Sequence, residues 1–203
     1  MDRDYTYILW IMTVIIGIVS YIPYIRDMFR WTTKPHVFSW FLRWIASLIL
    51  FIGKWDSGAG AWSRANLLLV GVCFFIAGYG LSHDSSKYIT LSDYIVGALA
   101  LLAFVLYFLT DGRFRPMFLI NITDILSFIP SIRKSWYDPL SETSSMYLIS
   151  GIKFCLMLFA TAEYSFITLS NTILWIFLNF SFVMFLHIRR RQLSNPKFII
   201  QNS

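Results

Sequence analysis

Seven runs of predominantly apolar residues fill almost the whole chain of 203 residues. Each run is close to the roughly 20 residues that a helix needs to cross a bilayer. The runs lack the alternation of a barrel strand, and a helix satisfies its own backbone polar groups in lipid. The sequence therefore predicts an all-α membrane protein with seven transmembrane helices. They are placed at residues 6–25, 36–53, 64–82, 91–110, 115–132, 143–162 and 166–188.

The composition agrees with a membrane protein. Hydrophobic residues make up 57% of the chain and charged residues only 14%, whereas a soluble domain carries about 25% charged residues. The net charge of +6 comes from basic residues at the ends of the apolar runs. This placement favours a lipid bilayer over nucleic acid as the partner. The first run has no small-residue cleavage site after it, so we expect it to be retained.

A six-residue motif occurs twice, at residues 21–26 (YIPYIR) and 128–133 (FIPSIR). The copies are 107 residues apart, about half the chain. Half-length repeats in membrane proteins are typical of transporters, whose substrate site lies where the halves meet. Proline removes a backbone donor and breaks or kinks a helix. Pro23 and Pro130 are therefore either a pair of hinges or simple helix stops before a loop, and we take the hinge as the hypothesis.

The repeat predicts how the chain is divided. Residues 1–82 form a first triple-helix repeat, residues 83–114 contain the fourth helix as a linker, and residues 115–203 form a second repeat with a basic tail. One linker helix between two triplets makes the triplets parallel. The expected fold is therefore a 3+1+3 arrangement of two parallel triple-helix bundles.

The basic residues also predict the orientation. Ten lysines and arginines follow the odd-numbered runs, and five lie on the opposite side. The positive-inside rule then places the C-terminus in the cytoplasm and the N-terminus outside. We expect an integral protein of the bacterial inner (plasma) membrane.

The helices that follow the two prolines begin with matching polar residues. His36 corresponds to Glu142 and Ser39 to Ser145, both at a shift of 106 residues. In the predicted topology these side chains line the cytoplasmic mouth, where His36, Ser39 and Glu142 are candidate gate residues. His36 has a pH-sensitive charge. The alternative is that it caps the second helix or bonds a backbone carbonyl.

With these features the chain resembles the PQ-loop superfamily, whose best-known members are the SWEET sugar transporters. The resemblance lies in Pro23 and Pro130, the basic turn after each and the seven-run layout; the motif is a variant, because Tyr24 and Ser131 stand where the family has glutamine. It implies alternating access between two three-helix bundles. Similar families move sugars, amino acids, cystine or vitamins. The KDEL receptor has a similar fold without transport, so fold alone leaves the activity open.

Three charged residues interrupt the apolar runs: Arg43 in the second, Asp124 in the fifth and Lys153 in the sixth. Charges in a span are costly and usually face the bundle interior. Asp124 and Lys153 lie at similar depth on consecutive helices, so a salt bridge between them is feasible, with Arg43 as the competing partner for Asp124. The repeat places Gly17 opposite Asp124 and Ser47 opposite Lys153. The three charges either stabilise one bundle or bind substrate, with the small residues leaving room for it.

Three asparagines complete the candidate substrate site. Asn121 lies one turn before Asp124, Asn66 lies early in the third run, and Asn179 lies midway along the seventh. Trp175 precedes Asn179 by four residues, as Trp62 precedes Asn66, which places an indole and an amide on one helical face. Such a face suits a ring or ribose-like group. The same Trp-x-x-x-Asn pattern resembles the nicotinamide-riboside transporters.

The leading hypothesis is a secondary carrier or facilitator for a small polar or zwitterionic solute, with proton coupling through Asp124 as an option. The alternative is a non-transporting receptor or sensor. A retinal protein is disfavoured because the seventh run contains no lysine. No nucleophile–base or metal-ligand spacing occurs in the runs, so we expect neither an enzyme nor a cofactor. Cys73 and Cys155 are expected to be core residues. A monomer suffices for this mechanism, and a homo-oligomer is compatible with it.

Overall fold

The computed structural model describes residues 3–56, 61–83, 88–109, 114–161 and 164–194. In these ranges the chain forms seven α-helices and no strand, which confirms the predicted all-helical class. The helices are α1 (Arg3–Phe29), α2 (Val37–Asp56), α3 (Ala61–Ser82), α4 (Leu91–Leu109), α5 (Phe114–Tyr137), α6 (Ser144–Phe159) and α7 (Phe166–Ser194). A single 3₁₀ turn, Pro139–Ser141, connects α5 to α6.

Four helices end later than the apolar runs predicted. Helix α1 continues through Pro23 to Phe29, and α5 continues through Pro130 to Tyr137. Helix α2 continues past residue 53 to Asp56, and α7 continues past residue 188 to Ser194. The interpretation of the two prolines as helix stops is therefore wrong. Hydropathy marks where a helix leaves apolar surroundings, not where its hydrogen bonds end. Basic side chains in the last turn also favour continuation, because they complement the helix dipole.

Helix α1 ends in a Schellman motif with an unusual residue at its left-handed position. The backbone N–H of Thr32 donates to the carbonyl of Asp27 at 3.0 Å, and that of Trp31 donates to Met28 at 3.1 Å. Trp31 has a φ of 61°, in the region that glycine adopts most readily. The reversal of the chain after α1 is therefore made at some conformational cost.

Two helices of the described chain are long and apolar enough to cross a membrane, Tyr7–Phe29 and Leu169–Ser194. Their most apolar windows have mean hydropathies of 2.1 and 1.7, and 22% of each window is buried. Four further helical segments are apolar but shorter, namely Val37–Ile52, Leu67–Ser82, Leu91–Leu106 and Ser144–Phe159.

The chain divides into two compact units. Unit 1 comprises Met1–Thr33, Ile132–Glu163 and Thr172–Ser203, and in it α1 packs against α6. Unit 2 comprises Lys34–Ser131 and Tyr164–Asn171, and in it α2 packs against α3 and α4. The predicted boundaries at residues 82 and 114 stay predictions.

The apolar core of unit 2 lies along α2. One cluster contains Leu42, Val96 and Ala100, and a second contains Ile45, Ile49 and Ile120. Helix α2 thus holds α4 and α5 in place, and this arrangement positions the polar side chains described below.

The same local hydrogen bond precedes the proline in each copy of the motif. Ser20 Oγ donates to the carbonyl of Gly17 at 2.7 Å, and Ser127 Oγ donates to the carbonyl of Asp124 at 2.6 Å. Each serine lies three residues before its proline and is fully buried. Hydroxyl groups that bond back along a helix tend to bend it. The repeat therefore extends from the sequence to the local hydrogen bonding around both prolines.

Candidate functional site

Unit 2 contains a cluster of carboxylate and amide groups between α5 and the first turns of α7. Asn171 Nδ2 donates to Asn121 Oδ1 at 2.9 Å and to Asp124 Oδ2 at 2.8 Å. Asp124 is 1% exposed. One amide group therefore joins both α5 residues that the sequence predicted for the substrate site. Asn171 itself was missed, although an amide in an apolar run is a visible signal.

Arg43 lies in the same unit and is also buried. Its guanidinium carbon is 4.9 Å from the ring centre of Trp40 and 4.4 Å from that of Phe128. Phe128 is one helical turn beyond Asp124, so the cation lies beside the face of α5 that carries the carboxylate. A guanidinium between two aromatic rings is stabilised without leaving apolar surroundings.

Unit 1 contains the second group of predicted site residues. Lys153 Nζ lies 3.9 Å from the ring centre of Phe154, whose ring stacks on Trp175 at 5.5 Å and 14°. A Cβ atom on Gly17 would lie 3.2 Å from Lys153 Cδ. Gly17, which the repeat matched to Asp124, therefore leaves room for the side chain of Lys153, and its predicted role in leaving room for a substrate stays a prediction.

Asn179 is hydrogen-bonded to Trp175, the residue with which it was predicted to bind the substrate. Its Nδ2 donates to the backbone carbonyl of Trp175 at 2.7 Å, and the side chain is 1% exposed. The Trp-x-x-x-Asn pair therefore lies on one helical face as predicted, with the amide oriented by the backbone. The side chains of Trp62 and Asn66, the other such pair, lie outside the described residues, and the predicted ion pair between Asp124 and Lys153 stays a prediction.

Of the three predicted gate residues, His36 bonds a backbone carbonyl. It precedes α2, and its Nε2 lies 3.2 Å from the carbonyl oxygen of Tyr88 and 3.6 Å from Asp93 Oδ2. The same carboxylate oxygen accepts the backbone N–H of Thr90 at 2.7 Å. The N-terminal ends of α2 and α4 are therefore joined through a buried imidazole and carboxylate. Ser39 is fully buried, with no hydrogen-bond partner for its hydroxyl in the described part of the chain.

Glu142, the residue matched to His36 by the repeat, forms a buried ion pair in unit 1. Its Oε1 accepts from Lys134 Nζ at 2.6 Å, and its Oε2 accepts from Tyr147 Oη at 3.3 Å. Both charged side chains are completely inaccessible. His36 and Glu142 thus share a pattern: each lies before a helix, is buried, and lies beside another ionisable side chain, Asp93 for His36 and Lys134 for Glu142.

A polar cavity of about 260 Å³ lies at one end of unit 1. The C-terminal end of α1, the N-terminal end of α6 and the C-terminal end of α7 meet there. Its walls carry two carboxylates, one guanidinium and five hydroxyl groups. The lining residues are Asp27, Thr32, Thr33, Leu140, Glu142, Thr143, Ser144, Ser145 and Arg190. Apart from Glu142 and Ser145, which the repeat matched to His36 and Ser39, the sequence did not single out these residues, because they are distant in the chain and individually ordinary at a helix end.

Comparison of the chain with family models, with curated proteins and with solved structures gave no match. The resemblance to the PQ-loop superfamily therefore stays a prediction that rests on the two proline motifs and the layout of the apolar runs.

Proposed function

We propose that this chain is an integral membrane transporter that moves a small polar solute by alternating access between two three-helix bundles. The observation that carries the proposal is the burial of charged and amide side chains within strongly apolar helices. Asp124 and Asn179 are each 1% exposed, whereas Phe177, two residues before Asn179, is 67% exposed. Buried ionisable groups in apolar helices are typical of solute and ion pathways.

Helix α1 illustrates why lipid is the proposed surrounding. Its exposed residues include Ile8, Ile15 and Ile22, each more than half exposed, whereas Thr13 and Ser20 are buried. Soluble proteins show the opposite distribution, with polar residues mostly exposed. The low buried share of the two spanning helices likewise argues against core helices of a soluble protein.

The contacts within each unit support the proposed topology. The C-terminal ends of α1 and α7 meet the N-terminal end of α6, as expected if the first and seventh spans run opposite to the sixth. The N-terminal ends of α2 and α4 also meet, as expected for two parallel even-numbered spans. We propose a 3+1+3 arrangement in a bacterial plasma membrane, with the C-terminus in the cytoplasm.

In this proposal each unit supplies its own group of buried solute-binding side chains. In unit 2 the Asn121–Asp124–Asn171 cluster offers a carboxylate and amides. In unit 1 Lys153 with the Phe154–Trp175 stack offers a cation and aromatic surface. Mixed charges favour a zwitterion or another polar solute over a neutral sugar. The prolines of α1 and α5 provide the bends that let the bundles rock.

Flux measurements in proteoliposomes test the function. The purified full chain is reconstituted, and uptake of radiolabelled amino acids, sugars, organic acids and nicotinamide riboside is measured with and without a pH gradient. We expect saturable uptake of one solute class, at least tenfold lower in Asp124→Asn. Ser82→Ala, which changes an exposed hydroxyl at the end of α3, away from both groups of binding residues, serves as the control for reconstitution. Solute binding without flux would favour the receptor hypothesis over the transporter hypothesis. If no solute gives either binding or flux, both hypotheses are contradicted.

A further inference from the structure

The cavity of unit 1 contains two opposite charges that do not form an ion pair with each other. Asp27 and Arg190 both line it. Asp27 is paired with Arg26, its neighbour in the chain, at 2.8 Å, and Arg190 makes all its hydrogen bonds to Pro139, Glu142 and Ser144. Within the described residues the two side chains therefore share a cavity without an ion pair between them. A carboxylate and a guanidinium that line one cavity without pairing with each other can bind a solute that carries both charges.

The two charges lie on either side of Thr143. The hydroxyl of Thr143 donates to Asp27 Oδ2 at 3.0 Å, while Arg190 bonds the residues before and after Thr143, through the carbonyl of Glu142 and the hydroxyl of Ser144. This places the carboxylate and the guanidinium within the reach of one small metabolite. The cavity volume of about 260 Å³ also suits a metabolite rather than a drug-sized ligand.

The carboxylate of Asp27 can accept further hydrogen bonds. Thr33 and Thr143 are hydrogen-bonded through their hydroxyl oxygens. Because Thr143 gives its own proton to Asp27, Thr33 must be the donor in that bond. An ionised carboxylate offers about four lone-pair sites, and the donors of Arg26 and Thr143 occupy only part of those of Asp27. The side chain is 19% exposed, so a solute can reach it.

Arg190 likewise keeps donors for a ligand. A guanidinium has five N–H groups, and Arg190 donates three hydrogen bonds to acceptors of the protein. These bonds fix the plane of the group. The second carboxylate of the cavity, Glu142, accepts hydrogen bonds from Lys134 and Tyr147 through its two oxygens.

We propose that this cavity is a second solute site, which binds a small zwitterion with its ammonium group at Asp27 and its anionic oxygens at Arg190. A dianion such as phosphate would face the carboxylate of Asp27, and a simple amine would face Arg190. The five hydroxyl groups bond the remaining polar atoms of the ligand. The inference deepens the proposed function, on which it rests, by naming the solute class and a site where solute is held at the cytoplasmic end.

Binding to the purified full chain in dodecyl maltoside tests this site, with calorimetry as the readout. The zwitterionic probes are L-alanine, γ-aminobutyrate and phosphoethanolamine. The controls, which carry charge of only one sign, are methylammonium, acetate and inorganic phosphate. We expect the zwitterions to bind at least tenfold more tightly than the controls. Asp27→Asn, which keeps the shape and the acceptor for Thr143, should weaken zwitterion binding at least tenfold and weaken acetate binding not at all.

A matched pair of variants tests the anionic end. Arg190→Lys keeps the charge but loses the fixed guanidinium, and it should weaken alanine binding at least fivefold. Arg191→Gln, one residue further along and exposed, should leave binding unchanged. Thermal unfolding of each variant checks that it is folded, and Asp27→Asn remains informative if Arg190→Lys is not.

Lipid headgroups offer the same pair of charges as an amino acid. Nanodiscs of phosphatidylglycerol with and without phosphatidylethanolamine distinguish the sources. A headgroup in the cavity weakens alanine binding only when ethanolamine lipid is present, whereas a free metabolite site binds alanine equally in both. Either result supports a zwitterion site.

Two results overturn the inference: alanine binding that is unchanged in both Asp27→Asn and Arg190→Lys, or phosphate or acetate binding as tight as that of alanine. If flux in proteoliposomes persists alongside either result, the transporter proposal stands without this site. If the cavity binds zwitterions as expected but no solute crosses the membrane, the site stands and transport fails.

Discussion

Thr143 donates its hydroxyl proton to the carboxylate of Asp27, 116 residues earlier in the chain, at 3.0 Å. This bond joins the N-cap of α6 to the last turn of α1. Thr143 is the N-cap residue by position, yet its side chain does not cap α6. The hydroxyl that would stabilise the local helix is used for a tertiary contact.

Replacing Lys134 by methionine should destabilise the protein strongly. Lys134 and Glu142 are both completely inaccessible, and removal of one partner of a buried pair leaves an uncompensated charge, at a cost of about 3–5 kcal/mol. Thermal unfolding in detergent measures the loss. The double variant Lys134→Met with Glu142→Gln should recover much of it. Equal stability of the single and double variants would show that the charges do not depend on each other.

Substitution by alanine should have opposite effects on stability at two glycines of α3. A Cβ at Gly80 would lie 3.2 Å from Val37 Cγ2 and 3.3 Å from the carbonyl oxygen of Pro35, whereas a Cβ at Gly78 meets nothing within 4 Å. We expect Gly80→Ala to cost about 1–3 kcal/mol through overpacking. Gly78→Ala should be neutral or stabilise by up to about 1 kcal/mol, because alanine favours helix. Unfolding temperatures of the two variants, compared side by side, decide the matter; a more stable Gly80→Ala contradicts the observed packing.

Trp31 lies at the left-handed position that ends α1. Glycine adopts this conformation without the steric cost that a Cβ adds, about 1–2 kcal/mol per residue. Trp31→Gly should therefore be more stable than Trp31→Ala by about 1 kcal/mol, even though both variants lose the indole. The comparison isolates the backbone term, and it is read from unfolding temperatures. An alanine variant as stable as the glycine variant would mean that the turn relaxes.

The proposed hinge role of Pro23 and Pro130 predicts an effect on the transport rate rather than on stability. Pro23→Ala and Pro130→Ala restore an N–H group in the interior of α1 and α5. We expect stability to be unchanged or higher, and flux to fall by roughly an order of magnitude if bending limits turnover. Pro116→Ala is the control, because that proline lies in the first turn of α5, where no intrahelical donor is lost. Full flux in both hinge variants would remove the prolines from the mechanism.

Much of the candidate site was visible in the sequence because its residues are chemically out of place. Asp124, Asn121 and Arg43 interrupt apolar runs, and the structure buries Asp124 and Arg43 and bonds Asn121 to Asn171. His36 bonds a carbonyl, one of the two roles that its position suggested. Asn171 was missed because its importance lies in two acceptors that are 47 and 50 residues earlier in the chain.

The helix ends show a different kind of limit. The apolar runs located every helix, but α1 and α5 continue beyond the positions where hydropathy falls. Proline at residues 23 and 130 suggested an interruption, and the surrounding structure tolerates it within a helix. Local sequence gives the cost of a proline, whereas the neighbouring side chains decide whether that cost is acceptable.

The amino-acid order alone determined that the chain is helical, that it repeats at half-length, and that a few charged and amide side chains must be buried, because each of these follows from local composition and spacing. Tertiary structure alone decided which of them meet: Asp27 with Thr143, Lys134 with Glu142, and Asn171 with Asp124. Partners so distant in the chain are chosen by the packing of whole helices, which depends on many side chains at once, and no local pattern encodes that choice.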